Sequence, residues 1–594
     1  MTIGEDIIVP EAARTLAGLF RQRLRRTPHA IAYRHYDRRS NTWRDLTWEE
    51  MGRRIGRWQA ALAETGLARG DRVALQLRNG PDWVAFEQAA LGLGLVVVPL
   101  YQEDRPDNVA YILQDAGVKL LLLQDTARWR RLAHETARLD ALDHIVLLEG
   151  EGETPPAGVS LAAAWLPPGE HPLHTVDAPE AALATIIYTS GTTGRPKGVM
   201  LSHANLLANA YACASVERFC AGDLFLSFLP LSHALERTGG YYLPMMTGAA
   251  VAYARSVQQL AEDLRQLRPT VLIAVPRIFE KVYARIRQQL AERPAPARWL
   301  FEATLACGRR RFAARQQRRR EPLAALAWPL LARLVARKVA SGFGGRLRFA
   351  VSGGAALPRP VADLFLGLGI DLLQGYGLTE TSPVVSVNTP ANNNPDSVGP
   401  PLPGVEVRIG ARDELLIRGP GITRGYWNDR QATARLIDAE GWLHSGDQAR
   451  LVNGRIHITG RLKEILVLSN GEKVPPADME AAITLDPLFE HALVLGEGRP
   501  FLAALLCLNP EQWERLHPHH DLDDPAAQQA ILQRLRPLLR DFPGYAKVRR
   551  VVLTLDEWTV ESGLLTPTLK LKRTRVIERY AVRLAGLFEG DALA

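Results

Sequence analysis

From Trp48 to Glu64, apolar residues recur at the spacing of an amphipathic helix. An Arg69-Gly70-Asp71 turn then leads into the short apolar run Val73–Leu77. Asn79-Gly80-Pro81 marks a second turn, the helical period returns over Trp83–Leu91, and Val96–Leu100 reads as another buried strand. Helical stretches between short β-branched runs predict an α/β core with largely parallel strands. Residues 151–172, rich in Gly, Pro and Glu, read as a loop, as does Ala391–Gly404. Beyond that loop the helical period fades, and Val405–Ile409, Glu414–Arg418 and Arg455–Thr459 read as strands of a small β subdomain. Mixed α and β signals return after Arg461, which predicts a separate C-terminal domain.

The 594 residues are enough for several domains, and 47% hydrophobic with 23% charged residues excludes a disordered or fibrous chain. Four cysteines (Cys213, Cys220, Cys307, Cys507) with no C-x-x-C pair exclude a disulfide scaffold and argue against a cysteine-bound zinc. Glu5 and Asp6 stand where a signal peptide would carry basic residues. The longest apolar stretch, Ala89–Leu100, is about twelve residues against the ~20 of a spanning helix. A cytoplasmic location is expected. The net charge of +8 is unevenly spread: between Arg309 and Lys338 lie ten basic residues and one acidic one, Glu321. That local excess of nine leaves the rest of the chain near neutral, so nucleic acid is not an expected partner. Set beside the apolar helical run Leu323–Val339, it suits an anionic membrane surface at the inner face of a membrane. The competing expectation is a solvated helical face whose other side enters the core.

Candidate chemistry begins with Tyr188-Thr-Ser-Gly-Thr-Thr-Gly-Arg-Pro-Lys-Gly-Val-Met200, between the strands Leu183–Ile187 and Val199–Leu201 and ahead of a helix from Asn205. Hydroxyls and glycines at this density let Thr189, Ser190, Gly191, Thr192, Thr193 and Gly194 turn N–H and O–H groups toward phosphate oxygens, with Lys197 as a mobile cation. Pro196 before the lysine excludes a Walker A loop. After the strand Leu347–Val351, Gly353, Gly354 and Ala355 permit close backbone approach to a flat ring. In Gln374-Gly-Tyr-Gly-Leu-Thr-Glu380, Tyr376 offers an aromatic face, Thr379 a hydroxyl and Glu380 a hard oxygen ligand for Mg²⁺. His444-Ser-Gly-Asp447 supplies a carboxylate after a tight turn.

Taken in order, these segments resemble the adenylate-forming superfamily of acyl-CoA synthetases, peptide-synthetase adenylation domains and firefly-type luciferases, over about Thr47 to Arg573. The resemblance implies a large N-terminal α/β domain (1–461) of mixed β-sheets flanked by helices, with a small β-barrel subdomain, followed by a small mobile α+β C-terminal domain (462–594). It implies ATP, Mg²⁺ and CoA as cofactors, with Gly353, Gly354, Ala355 and Tyr376 at adenine, Thr379 at the α-phosphate, Glu380 on the metal and Asp447 on the ribose. Gly460-Arg-Leu-Lys-Glu-Ile465 resembles the junction motif, with Arg461 at phosphate and ribose and Lys463 as hinge. Gly471 resembles the turn along which a pantetheine thiol arrives. Near the C-terminus, Leu564–Arg573 resembles the segment of the catalytic lysine, although Leu569 stands where the usual form has Gly. On an extended segment Lys570 and Lys572 point the same way; the Thr-x-Lys register selects Lys570.

Leu229–Arg237, Val275–Tyr283 and Gly345–Gly354 resemble the long-chain acyl-CoA synthetase branch, with His233 near the acyl site and Gly239, Gly240, Thr247 and Gly248 as tunnel contributors. The expected activity is a long-chain fatty acid–CoA ligase. The alternatives are an acyl-AMP ligase loading a carrier protein, or a non-catalytic acyl-adenylate-binding protein at a membrane surface. His517, His519 and His520 read as a solvated loop rather than a metal cluster, and His203 as capping and packing. Gly92-x-Gly94 lacks the third glycine of a dinucleotide fingerprint.

Overall fold

In a computed structural model describing residues 6–150, 154–189, 195–516, 521–540, 542–566 and 569–588, the expected alternation forms two large sheets. A seven-stranded sheet runs in the order Val159–Leu161, His144–Leu147, Val118–Leu123, Arg72–Gln76, Val96–Pro99, Leu183–Thr189, Lys197–Ser202, all parallel but for the last pair. An eight-stranded sheet has the parallel centre Leu372–Gly377, Phe349–Ser352, Val271–Ala274, Leu224–Ser227, Ala250–Tyr253, Ile31–Asp37, with one antiparallel strand at each edge.

Side-chain alternation distributes each strand between two cores. Phe225, Val271, Ile273 and Phe349 join a cluster shared with the other sheet and the helices Trp48–Ala63, Pro81–Gly92 and His203–Val216. Their neighbours Leu226, Leu272, Ala274 and Ala350 face the opposite core, under Phe279 and Phe365. The helix Trp48–Ala63 starts where a capping box dictates: Glu50 N donates to Thr47 Oγ1 at 3.2 Å, and Thr47 N donates to Glu50 Oε2 at 2.7 Å. Within the expected loop 151–172, Val159–Leu161 pairs at the sheet edge and Ala162–Trp165 makes a helical turn, because Trp165 packs on Trp58.

The β subdomain is a four-stranded antiparallel sheet, Glu406–Ile409, Glu414–Arg418, Leu443–Val452, Arg455–Arg461. Among the described residues no ladder joins its first strand to its last, so it is an open sheet rather than the expected barrel. After Arg461, Phe489–Leu495, Leu502–Leu508 and Val548–Thr554 form a three-stranded sheet over its own core of Met479, Ile483, Trp513 and Ile531. The fold is α/β, with a large N-terminal domain of mixed sheets and a smaller C-terminal domain. Among the described residues no helix is long and apolar enough to cross a membrane.

Candidate active site

Parallel strands bring their C-terminal ends to one edge of a sheet, and ligands of such folds bind beyond that edge. Here Gly353–Ala355 follow Phe349–Ser352, Tyr376 lies in Leu372–Gly377, and His233 follows Leu224–Ser227. All border a cleft of about 1810 Å³ that also takes in Thr189 and Lys197 from the other sheet, Thr379, Glu380, Asp447, Arg461, Lys463 and Lys570. Gly354 has φ +83°, the left-handed region that glycine adopts freely. Ser190–Gly194 and His517, His519 and His520 lie outside the described residues. Gly471, in an open turn with φ +84°, is not part of the cleft wall.

On one side, the antiparallel register pairs Asp447 with Arg461. Arg461 Nε donates to Asp447 Oδ1 at 2.8 Å and Tyr376 Oη donates to Oδ2 at 2.7 Å, which leaves each carboxylate oxygen one further acceptor position. Burial and then the Asp447 charge hold the Tyr376 phenol well above its usual range. Burial opposes the Arg461 charge, but Asp447 outweighs it and raises that group.

On the other side, Glu380 is the middle residue of the turn Thr379–Thr381 and its Oε1 accepts from Tyr426 Oη at 2.8 Å. Lys197 Nζ lies 5.0 Å from the Tyr426 ring centre and 3.6 Å from Asp429 Oδ2. Tyr426 thus links the expected metal ligand to the expected phosphate cation, and the sequence reading missed it. The signal was the aromatic pair in Gly425-Tyr426-Trp427-Asn428, whose turn adds Trp427 N to the Gly198 carbonyl of the strand carrying Lys197.

Lys570 stands in the cleft, reachable by solvent yet enclosed by its walls. Burial, and then the Arg461 charge, lower its pKa below the ordinary lysine value, while Asp447 and Glu464 act in the opposite sense. The expectation that Lys570 and Lys572 share a direction assumed an extended segment. Leu569 instead has φ +60°, Leu565 bridges Leu571, and Thr566 N donates to the Lys570 carbonyl at 2.8 Å. Lys570 is thereby set among Arg461, Asp447 and Glu464, and Lys572 beside Asp104 and Arg105. Leu569 holds the left-handed conformation usually left to glycine, where a side chain adds about 1–2 kcal/mol of strain.

His233 accepts at Nδ1 from Leu235 N at 3.2 Å, which puts its remaining proton on Nε2. Burial, then Lys570, push its pKa down to about 4, so it is a neutral hydrogen-bond donor at neutral pH. From His233 and Gly353 an apolar arm of the cleft runs between the sheet and the helix His203–Val216, past Ile273, Val351 and Cys213. Phe219, Phe225 and Phe349 also line it, beside Glu217, with the Phe225 and Phe349 ring centres 5.8 and 5.9 Å from that of Phe219. From Gly353 to Phe349 the strand covers roughly 13 Å.

Of the expected tunnel residues, Gly239 lines the arm, and a Cβ there would come within 2.7 Å of Ile273 Cδ1. Gly240, Thr247 and Gly248 do not line it. The Glu236 carboxylate fills the space beside Gly240, Thr247 Oγ1 donates to the Leu243 carbonyl, and Gly248 ends a helix against Arg23. His203 packs as expected: it is buried, its Nδ1 accepts from Leu16 N at 3.2 Å, and burial pushes its pKa down to about 4.

Comparison with known proteins agrees with this geometry. The family model "AMP-binding enzyme" matches residues 20–427, and "AMP-binding enzyme C-terminal domain" matches residues 463–592. The long-chain-fatty-acid–CoA ligase FadD15 of Mycobacterium bovis is 30% identical over 571 residues, covering 92% of this chain and 93% of that protein. The chloroplastic long-chain-fatty-acid–acyl-carrier-protein ligase AEE15 of Arabidopsis thaliana is 27% identical, covering 91% and 82%. In fold, the adenylation domain of a carboxylate reductase from Mycobacterium chelonae superposes with TM-score 0.77 at 23% identity, over 98% of this chain and 94% of that one. Sequence, fold and cleft together identify the chain as a member of the AMP-binding, adenylate-forming enzyme family, close to the long-chain fatty acid–CoA ligases.

Proposed function

We propose that the protein is a long-chain fatty acid–CoA ligase, converting ATP, a fatty acid and CoA to acyl-CoA, AMP and pyrophosphate through an acyl-adenylate. The observation that carries this reading is the meeting of two unlike regions at His233 and Lys570. One is polar and bordered by Tyr376, Asp447 and Arg461; the other is an apolar arm lined by three phenylalanines. A carboxylate whose chain fills the arm has its head group at the α-phosphate of a nucleotide in the polar region. In the first half-reaction a carboxylate oxygen forms a bond to the α-phosphorus and pyrophosphate leaves. In the second a thiol attacks the acyl carbon and AMP leaves.

No base is required for a carboxylate already ionised at neutral pH, so the work is positioning and charge neutralisation. Lys570 neutralises the approach of carboxylate to phosphate, Asp447 accepts from the ribose hydroxyls, Tyr376 and Gly353–Ala355 hold the adenine, and His233 donates from Nε2 toward the acyl head group. The phosphate loop from Thr189 to Gly194, with Lys197 and Thr379, holds the phosphates. For the second step the C-terminal domain, beginning after Arg461, turns about Lys463 and brings Gly471 to the thiol. Lys570 inside the cleft and Gly471 outside it correspond to the adenylating arrangement.

The donor set fits Mg²⁺. Among the described residues no three His, Cys, Asp or Glu side chains cluster as a cation site, and Glu380 lines the cleft with one oxygen engaged by Tyr426. One carboxylate completed by phosphate and water is a usual magnesium environment. When bound, the ion neutralises charge on the departing pyrophosphate. In Glu380→Gln, the Mg²⁺ concentration for half-maximal acid-dependent pyrophosphate release should rise about tenfold, the equivalent of one charge-assisted contact. An unchanged requirement would remove Glu380 from the metal.

The direct test of the reaction is AMP and pyrophosphate release with short- to very-long-chain acids, with and without CoA. Absence of a CoA thioester with every acid sinks the proposal, and thioester formed only on a carrier protein favours the reading that AEE15 exemplifies. The acyl arm has its own check. Phe349→Ala should move the preferred acid longer by two or more carbons, each further buried methylene contributing about 0.8 kcal/mol, roughly fourfold in kcat/KM. A chain-length profile that does not move would place the acyl chain elsewhere.

A further inference from the structure

The helix Pro322–Leu331 continues through Ala332–Ala336 into Arg337–Gly342 and packs as a hairpin on the preceding helix Ala295–Gln316. Its inner face is made of alanines, Trp328, Val335 and Val339, which pack on the core. Ala324 and Ala336 are buried, and Trp328 lies under Arg311 and against Gly369. Four leucines nevertheless face out. Leu323, Leu326, Leu330 and Leu334 are 75, 81, 65 and 43% exposed. Their spacing of three, four and four residues makes one continuous apolar stripe. Trp299, 73% exposed, lies near the start of the preceding helix. Scattered exposed leucines need no explanation, but four in line on one helix do.

Basic residues frame the stripe. Arg318–Arg320 stand before it, and Arg333, Arg337 and Lys338 lie along its second half. None of these six has a carboxylate within 4 Å among the described residues, whereas Arg315 is committed to Asp371. Basic side chains around an apolar helical face can reach lipid phosphates while the leucines enter the headgroup–acyl boundary. A second copy of the chain is a poor occupant, because a twofold contact sets a patch against itself and would bring the two basic rims together.

We propose that this helical hairpin is a membrane-docking surface that seats the protein on an anionic phospholipid bilayer, with the Leu323–Leu334 stripe inserted at the interface and the flanking Arg and Lys side chains on lipid phosphates. The helix does send one side into the core, as the competing expectation had it, but its outer side is apolar as well. The surface is separate from the cleft, and the proposal does not depend on which acid or acceptor the enzyme uses.

The test is co-sedimentation of the full chain with vesicles of phosphatidylcholine, with and without phosphatidylglycerol. The wild type should bind the anionic vesicles at least about tenfold more tightly than the neutral ones, with the difference shrinking as salt rises from ~0.1 to ~0.5 M. L326E/L330E should lose binding to both kinds of vesicle, and R318E/R319E/R320E should lose the preference for anionic lipid. Both variants should keep wild-type pyrophosphate release with a water-soluble medium-chain acid, which verifies the fold. Anionic-vesicle binding unchanged in both variants overturns the proposal. So does a wild type that binds no vesicles, including one that sediments as a dimer which L326E/L330E dissolves.

Discussion

Replacing Lys570 by Ala should lower acid-dependent pyrophosphate release by about 10²–10³-fold, the usual loss when one preorganised charge-stabilising donor is removed from a reaction centre. The same variant, given preformed acyl-adenylate and CoA, should make thioester within a few-fold of the wild type, because that half-reaction has no approach of two anions for the lysine to neutralise. Lys572→Ala should keep both activities, since Lys572 lies beside Asp104 and Arg105 rather than among Arg461, Asp447 and Glu464. A Lys570→Ala enzyme that adenylates normally and fails only in thioester formation would refute the assignment. The pH dependence supplies a second readout. The charged form is the active one, and burial with Arg461 lowers the Lys570 pKa, so adenylation should fall on the alkaline side earlier than an ordinary lysine would require. Lys570→Arg keeps the charge at every accessible pH and should remove that limb, whatever its effect on the maximal rate.

The largest stability effect is expected at Arg237, wholly buried with Glu87 in the helical layer between the two sheets. Arg237 Nε donates to Glu87 Oε1 at 2.7 Å and to Tyr242 Oη at 2.9 Å, and Nη1 donates to Thr185 Oγ1 at 2.8 Å. Tyr242 Oη in turn donates to Glu87 Oε1 at 2.7 Å. Trp83 covers the guanidinium with its ring centre 5.4 Å away. Arg237→Met leaves the Glu87 carboxylate buried without its counter-charge, and such a break destabilises by about 3–5 kcal/mol. The first transition in urea should shift to correspondingly lower denaturant. The double variant Glu87→Met/Arg237→Met should recover much of the loss, since it buries no unpaired charge. If the double variant is no better than the single, the loss comes from packing around Trp83 and not from the orphaned charge.

The sheet alternation, the capped helix at Trp48 and the order of the motifs were legible because each rests on contiguous residues whose period or turn chemistry is local. The candidate phosphate, adenine and ribose segments could be picked out from sequence for the same reason, and Thr189, Gly353, Tyr376, Glu380, Asp447 and Arg461 do meet in one cleft. The aromatic pair at Tyr426 was visible in the sequence, but the role of Tyr426 was not. Its role lies in a hydrogen bond to Glu380, 46 residues away, and in its ring beneath Lys197. The Glu87–Arg237 pair is separated by 150 residues, and each member alone reads as a surface charge.

The chain's periodicities and motifs were sufficient to determine an α/β adenylating enzyme with a smaller C-terminal domain and one basic apolar insert. Three-dimensional packing alone gave Lys570 and Lys572, which both line the cleft, different charged neighbours, because the left-handed backbone at Leu569 breaks the alternation that would have made them equivalent. It also turned Leu323, Leu326, Leu330 and Leu334 outward. A helical period reveals that an apolar face exists, but which face is covered depends on what packs against it. Here Ala324, Trp328, Val335, Ala336 and Val339 took the inner side.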